Sequence, residues 1–253
     1  YDLYGISRKK GLSPKITSIV CDLKNTDELT ENLKKVRPKW IFHLAGNPGL
    51  TDPAALADNH VIASVSLFKA MEAANLKATR LILPSSSGEY GIIPKSSLPV
   101  SENFPLAPVS PYGAVKAAQT LLAQMYAHRG LDIVLARIFN VLGPGLNPSL
   151  SLSSFVRQIV EMEQGKHEPK LQTGDLSPKR DFVDVQDTVE ALVLLAQRGE
   201  GGQVYNVSSG KSVSIQTDFL TGNDVIMGDE DQLHQVIINL AVNARDAIEQ
   251  TKI

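Results

Sequence analysis

Tyr112 and Lys116 stand four residues apart in Ser110-Pro111-Tyr112-Gly113-Ala114-Val115-Lys116, one loop downstream of the serine triplet Ser85-Ser86-Ser87. On a helix, side chains at i and i+4 share a face. A lysine ammonium there can lower a phenol from its usual pKa of about 10. A serine at the end of a preceding strand can hydrogen-bond the same substrate oxygen. Such a trio protonates or deprotonates a carbinol oxygen while a nicotinamide gives or takes hydride. Tyr-x-x-x-Lys arises by chance in many chains. Here it follows the serine triplet and Glu89-Tyr90-Gly91, and that order gives it weight.

The rest of the chain must be able to hold these groups. Its 253 residues suffice for one large α/β domain or two small ones. The balance of 25 Lys+Arg against 27 Asp+Glu gives no reason to expect a nucleic-acid partner. Cys21 has no second cysteine to pair with and lies in an apolar run, which reads as a buried, reduced thiol. No apolar stretch is long enough to span a membrane, and no signal-peptide pattern is seen. The expectation is a soluble, cytoplasmic protein with no membrane partner.

Short apolar runs alternate with amphipathic stretches, the pattern of a βαβ parallel sheet. Strands are expected at 2–6, 16–21, 39–44, 80–83 and 133–139. Helices are expected at 27–36, stopped by Pro38, and at 60–74 and 112–128. The Pro-rich segment 93–111 reads as a loop over a site. Beyond Gly143-Pro144-Gly145 the alternation loosens, with helices at 151–164 and 185–197 and a short strand at 203–207. The fold class is α/β, a Rossmann-like doubly wound parallel sheet with a small C-terminal substrate-binding lobe. The expected division is 1–140 for the cofactor domain, 141–216 for the lobe and 217–253 for a foreign tail.

Ordered motifs carry a family resemblance over residues 1 to about 215. They are His43-Leu44-Ala45-Gly46, Ser86-Ser87-Gly88-Glu89-Tyr90-Gly91, Tyr112 to Lys116, Arg137-Ile138-Phe139-Asn140, Gly143-Pro144-Gly145, Lys179-Arg180-Asp181-Phe182 and Val204-Tyr205-Asn206-Val207. The chain resembles the extended short-chain dehydrogenase/reductases (the NAD-dependent epimerase/dehydratase family), in the nucleotide-sugar branch. Within it the likeness is to the GDP-6-deoxy-D-mannose reductases, which reduce a 4-keto sugar nucleotide to GDP-rhamnose. The resemblance implies Tyr112 as acid, Lys116 as its tuning cation and ribose contact, and Ser86, four before Tyr90, as the catalytic hydroxyl. Ser85 reads as a turn residue. A 4-epimerase or a 4,6-dehydratase on the same scaffold stays open as an alternative.

Cofactor choice rests on the end of the first strand. An acid there would hydrogen-bond the ribose, whereas cations accept an extra phosphate. Ser7-Arg8-Lys9-Lys10 therefore favours NADP(H), although a solvated basic turn would look the same. The resemblance places Asp22 and Leu23 by the adenine and lets the backbone of Leu44, Ala45 and Gly46 approach the cofactor. It implies a GDP-sugar substrate contacted by Ser86, Ser87, Glu89, Asn140, Arg157 and Arg180, and a homodimer built on the long helices. Arg180 suits a diphosphate by its guanidinium fork. His43 reads as a structural strand-end residue, and no histidine stands at metal-binding spacing.

Two departures qualify the resemblance. Related 4,6-dehydratases carry an acid two residues before the Tyr-Gly tyrosine; here that position is Gly88, and Glu89 follows it. A one-residue shift in an extended segment turns a side chain to the other face, so carbonyl reduction is favoured over elimination. The family's glycine-rich turn after its first strand is also not found, which implies weakened dinucleotide binding and leaves open an inactive chimeric fragment. The stretch from Gly228-Asp229-Glu230-Asp231 through Asn243-Ala244-Arg245 resembles the N-box helix of sensor histidine kinases, where Asn243 would be a Mg²⁺ ligand. The remaining kinase boxes are lacking, and the residues themselves read as an amphipathic helix.

Overall fold

The computed structural model describes residues 1–9, 13–47, 49–146, 150–166, 168, 171–214, 216–220 and 223–227. Strands β1 (Tyr4–Ser7) and β2 (Thr17–Val20) come first. They are followed by α1 (Thr26–Val36), β3 (Trp40–Phe42), α2 (Pro53–Ala57), α3 (Ala63–Ala73), β4 (Arg80–Ser86), α4 (Pro111–His128) and β5 (Ile133–Ile138). Next are β6 (Asn140–Leu142), α5 (Ser151–Glu163), β7 (Arg180–Asp184), α6 (Val185–Arg198), β8 (Val204–Val207) and β9 (Ser212–Val213). A hairpin of β10 (Gln216–Leu220) and β11 (Asn223–Met227) follows. The acidic patch and kinase-like helix expected at 228–249 lie outside the described residues, as does Lys10 of the basic turn.

The chain forms two compact units. The first holds Tyr1–Ile138 and Ala191–Asn206; the second holds Phe139–Glu190 and the residues from Val207 onward. In the first unit β3, β4, β5 and β8 form one sheet in that order, and β1 pairs with β2. The β1–β2, β3–β4 and β4–β5 pairings are all parallel. Residues 81–83 of β4 and 133–136 of β5 are almost wholly buried, on both faces of the sheet. Continuous apolar runs of this kind belong to the middle of a parallel sheet covered on both sides. Leu29, Leu33, Leu67, Phe68, Met71 and Tyr126 bring α1, α3 and α4 onto the same core.

Local signals set the helix limits. Asn25 caps α1 by accepting from the Glu28 amide at 3.3 Å, and Arg37 closes it at φ 46° before Pro38. The helix expected to begin at His60 begins earlier, at Pro53. The Asp52 carboxylate accepts from Ala55 N at 2.8 Å, and proline at the first helical position needs no amide partner. Between α2 and α3 the chain widens into a π-helical turn, Asp58–Ile62, which carries the buried His60. In the second unit β6 pairs parallel to β7, and β7 pairs antiparallel to β9.

Candidate active site

Ser110 and Pro111 start α4 as a cap and first-turn pair, with Ser110 Oγ accepting from Gly113 N at 3.1 Å. The first turn of α4 then lies flat on the turn that follows β4. A Cβ on Gly113 would stand 2.4 Å from the Gly88 carbonyl oxygen, so this approach requires glycine. Ser86 ends β4 and caps the short 3₁₀ turn 87–89, its Oγ accepting from Gly88 N at 3.2 Å. Tyr112, Lys116 and Ser86 thus sit on two elements in direct contact, and Ser86, Ser87 and Tyr112 are half-buried.

Glu89 departs from the expectation that it touches substrate. Its side chain is 0% exposed and faces inward. Ser85 Oγ donates to it at 2.5 Å, Ser86 N at 3.0 Å, Thr120 Oγ1 at 3.0 Å and Arg137 Nη2 at 3.3 Å. Arg137, itself 2% exposed, also donates from Nη1 to Tyr90 Oη at 2.9 Å and lies 4.6 Å over the Tyr90 ring. Tyr90 Oη in turn donates to Asn206 Oδ1 at 2.7 Å. This buried hub ties the serine turn, α4, β5 and Asn206 of β8 together. The sequence signal for Arg137 is a lone cation in an otherwise apolar strand, which the motif around it does not reveal.

The expected lowering of the Tyr112 phenol by Lys116 is not found. The phenol is held above its ordinary pKa, first by burial and second by the charge of Glu89. Lys116 is 5% exposed and donates to Pro84 O at 2.7 Å and to Gln119 Oε1. Burial pushes its ammonium down to about 8, with Glu89 pulling the other way. Sharing a helix face with Tyr112 does not decide where a four-carbon side chain ends. Gln119, three residues on from Lys116 and on its face, was the detectable signal that went unread.

Behind Lys116 the site is polar and closed. His43 Nε2 bonds Ser64 Oγ at 2.8 Å, and burial holds the imidazole down to about 4 from 6.5. A histidine that stays neutral when folded but takes a proton when unfolded costs stability as pH falls from 6.5 to about 4. The loss over that window is about 3 kcal/mol at 1.36 kcal/mol per unit. Urea unfolding of the wild type against His43→Asn measures it: the variant should show the shallower fall, and equal slopes would refute the assignment.

The other sequence-chosen residues fall at strand ends. Ser7 and the exposed Arg8 close β1, Asp22 and Leu23 follow β2, and the exposed Leu44, Ala45 and Gly46 follow β3. The starts of β1 and β3 are joined by the Tyr1–Trp40 ring contact at 5.5 Å. Beyond the far ends of β2 and β3, the Lys24–Asp58 ion pair closes at 2.8 Å. The carboxyl ends of these strands therefore share one edge, where open parallel sheets bind ligands. Gly46, at φ +150°, faces the His60 ring, and a Cβ there would sit 2.3 Å from it. His60 meets the Tyr112 ring edge-on at 5.7 Å, and its buried Nε2 has no partner among the described residues.

In the second unit, Asn140 Nδ2 donates to Asp181 O at 2.7 Å, which ties it to its neighbouring strand. Arg157 on α5 is exposed, and so is Arg180 at the start of β7. Asp181 accepts instead from Ser209, and Arg180 makes no ion pair among the described residues.

Residues 1–208 match the model of the NAD dependent epimerase/dehydratase family. A GDP-6-deoxy-D-mannose reductase of Pseudomonas aeruginosa is 35% identical over 200 residues, covering 77% of this chain and 65% of that protein. A UDP-glucose 4-epimerase of Mycolicibacterium smegmatis is 34% identical over 211 residues, 81% of this chain and 65% of that protein. The structure of RMD from Pseudomonas aeruginosa complexed with NADPH is similar with a TM-score of 0.71 at 31% identity, covering 80% of this chain and 71% of that one. The chain thus spans just under two thirds, 65%, of the length of these curated relatives.

Proposed function

The chain belongs to the NAD dependent epimerase/dehydratase family, and on that premise we propose that it uses NADPH to reduce the 4-keto group of a GDP-4-keto-6-deoxy-mannose-type sugar, giving GDP-rhamnose. The observation that carries this reading is the packing of the first turn of α4, which bears Tyr112, directly against the turn that bears Ser86. Tyr112 keeps its proton above the ordinary range, on the helix turn that packs against Ser86. A protonated phenol there can give its proton to an oxygen that is gaining negative charge, and a pKa lowered towards the working pH would make it the better acid. Ser86 orients that oxygen. Lys116, cationic below about pH 8 and bonded to Pro84 O and Gln119 Oε1, is the proposed contact for the nicotinamide ribose.

The residues at the strand ends fit a dinucleotide. Gly46 keeps its backbone clear of a side chain, and beside it lies the His60 Nε2, without a partner among the described residues. Arg8 and Ser7 would meet the adenosine phosphate, Asp22 and Leu23 the adenine, and the Leu44–Gly46 backbone the rest of the cofactor. Bound there, the reduced nicotinamide supplies hydride. Arg180, exposed and without an ion-pair partner among the described residues, is the proposed diphosphate clamp. Asn140 and Arg157 are weaker substrate candidates, because the Asn140 amide is already engaged.

Dehydration has less support than reduction. Gly88 offers no acid, and the Glu89 carboxylate beside it is enclosed and saturated. Epimerisation at C4 is the second reading, favoured by the 34% identity to a UDP-glucose 4-epimerase. Leu121 and Met125 of α4, 60% and 40% exposed, support the proposed homodimer through the long helices.

Fluorescence titration of the chain with NADPH and with NADH tests the cofactor reading. Saturable binding that prefers NADPH, with the preference narrowed by Arg8→Ala, is the expected outcome; no saturable binding of either overturns it. Product analysis with the 4-keto sugar then separates the reactions. Stoichiometric oxidation of NADPH marks a reductase, and turnover without net cofactor consumption marks an epimerase.

A further inference from the structure

Gln119 is 2% exposed and sits between Lys116 and a second layer of polar groups. Its Nε2 donates to Ser64 Oγ at 2.6 Å and to His60 O at 3.2 Å, and its Oε1 accepts from Lys116. Ser64 Oγ spends its one proton on His60 O at 2.7 Å, so His43 must donate to it through Nε2. These assignments leave the amide no freedom. A flip would set its oxygen against the His60 carbonyl and its NH₂ against the ammonium. The carbonyl end of Gln119 is therefore permanently offered to Lys116. An ammonium has three N–H donors; Pro84 O and Gln119 take two, and the direction of the third is thereby set.

We propose that Gln119 is a positioning residue for Lys116. Anchored by Ser64, His43 and the His60 carbonyl, it fixes with Pro84 O the direction in which the last N–H of Lys116 meets a hydroxyl-bearing ligand or the Tyr112 oxygen. The kinetic consequence rests on the hydride-transfer reading above; the positioning does not.

The test follows the lysine side-chain ¹³C resonances of the full chain across pH, with Lys116 assigned by its loss in Lys116→Arg. Gln119→Met removes an acceptor that favours the charged form, so the Lys116 midpoint should move down from about 8. Gln119→Glu adds a negative charge and should move it up. The other charged or titratable groups that act on Lys116 are Glu89 after β4, His43 after β3 and His60 in the π turn, and all are unchanged in these variants, as is Tyr112 on the same helix. If Gln119→Met does not fold, Gln119→Asn, one methylene short of the ammonium, takes its place and should also shift the midpoint down. For reduction, Gln119→Met should cost about tenfold in kcat, with the alkaline limb of the profile following the NMR midpoints. Equal midpoints in all proteins overturn the proposal whether or not any sugar is reduced. Shifted midpoints in a chain with no reductase activity uphold it and sink the proposed function instead.

Discussion

Tyr112→Phe should lower kcat for carbonyl reduction by about 10²–10⁴-fold, the usual worth of a positioned acid, with NADPH affinity little changed. The phenol oxygen is the only atom removed, so the ring keeps its contact with His60 at 5.7 Å. The substrate oxygen would then gain charge with no proton donor of matched position, and water would have to replace it. Steady-state NADPH oxidation gives kcat, and fluorescence titration gives the dissociation constant. A variant that retained more than a tenth of wild-type kcat would remove Tyr112 from the chemistry. A parallel collapse of NADPH binding would show that the phenol holds the cofactor and does not act mainly as an acid.

The largest stability effect is expected at the buried hub. Glu89→Leu leaves the Arg137 guanidinium, 2% exposed, without its counter-charge. Removing one partner of a buried ion pair costs about 3–5 kcal/mol, because the remaining charge is neither solvated nor paired. Glu89→Gln keeps an acceptor for Ser85, Ser86 and Thr120 and should cost less. The double variant Glu89→Leu/Arg137→Met should recover most of the loss, since both charges leave together. Urea denaturation of the wild type, Glu89→Leu, Arg137→Met and the double variant gives the cycle directly. If Glu89→Leu unfolds at the wild-type urea concentration, the pair contributes nothing and the hub is misread. The same substitution should lower activity as well, because Glu89 holds the Ser86 amide and Thr120 of α4 in one cluster.

Most of the scaffold was legible in the chain. The apolar runs at 80–83 and 133–139 became the two most buried strands, β4 and β5, because a parallel strand covered on both faces needs no polar alternation. Pro38 stopped α1 as read. The start of α2 was missed, although Asp52-Pro53 is a cap signal, because the apolar periodicity only becomes regular after His60. Arg180–Asp184 stands out in the sequence only as a motif and forms strand β7, because its charged ends hide the alternation. The serine turn and the Tyr-x-x-x-Lys helix were placed correctly as elements, and the structure brings them into contact through Gly88 and Gly113.

What the sequence determined by itself is local: most strands and helices of the first unit, the caps that stop them, and that Tyr112 and Lys116 share a helix face. Helix and strand periods are fixed by backbone geometry, so spacing alone is enough to infer them. The directions and charge states of the site's side chains were decided only by the tertiary structure. Glu89 turned inward to an arginine 48 residues away, Lys116 turned to a carbonyl 32 residues back, and Gln119 was locked by a serine 55 residues away. No local rule reaches across such separations. A buried charge takes the partners that packing brings to it, and burial then sets how readily it holds its proton.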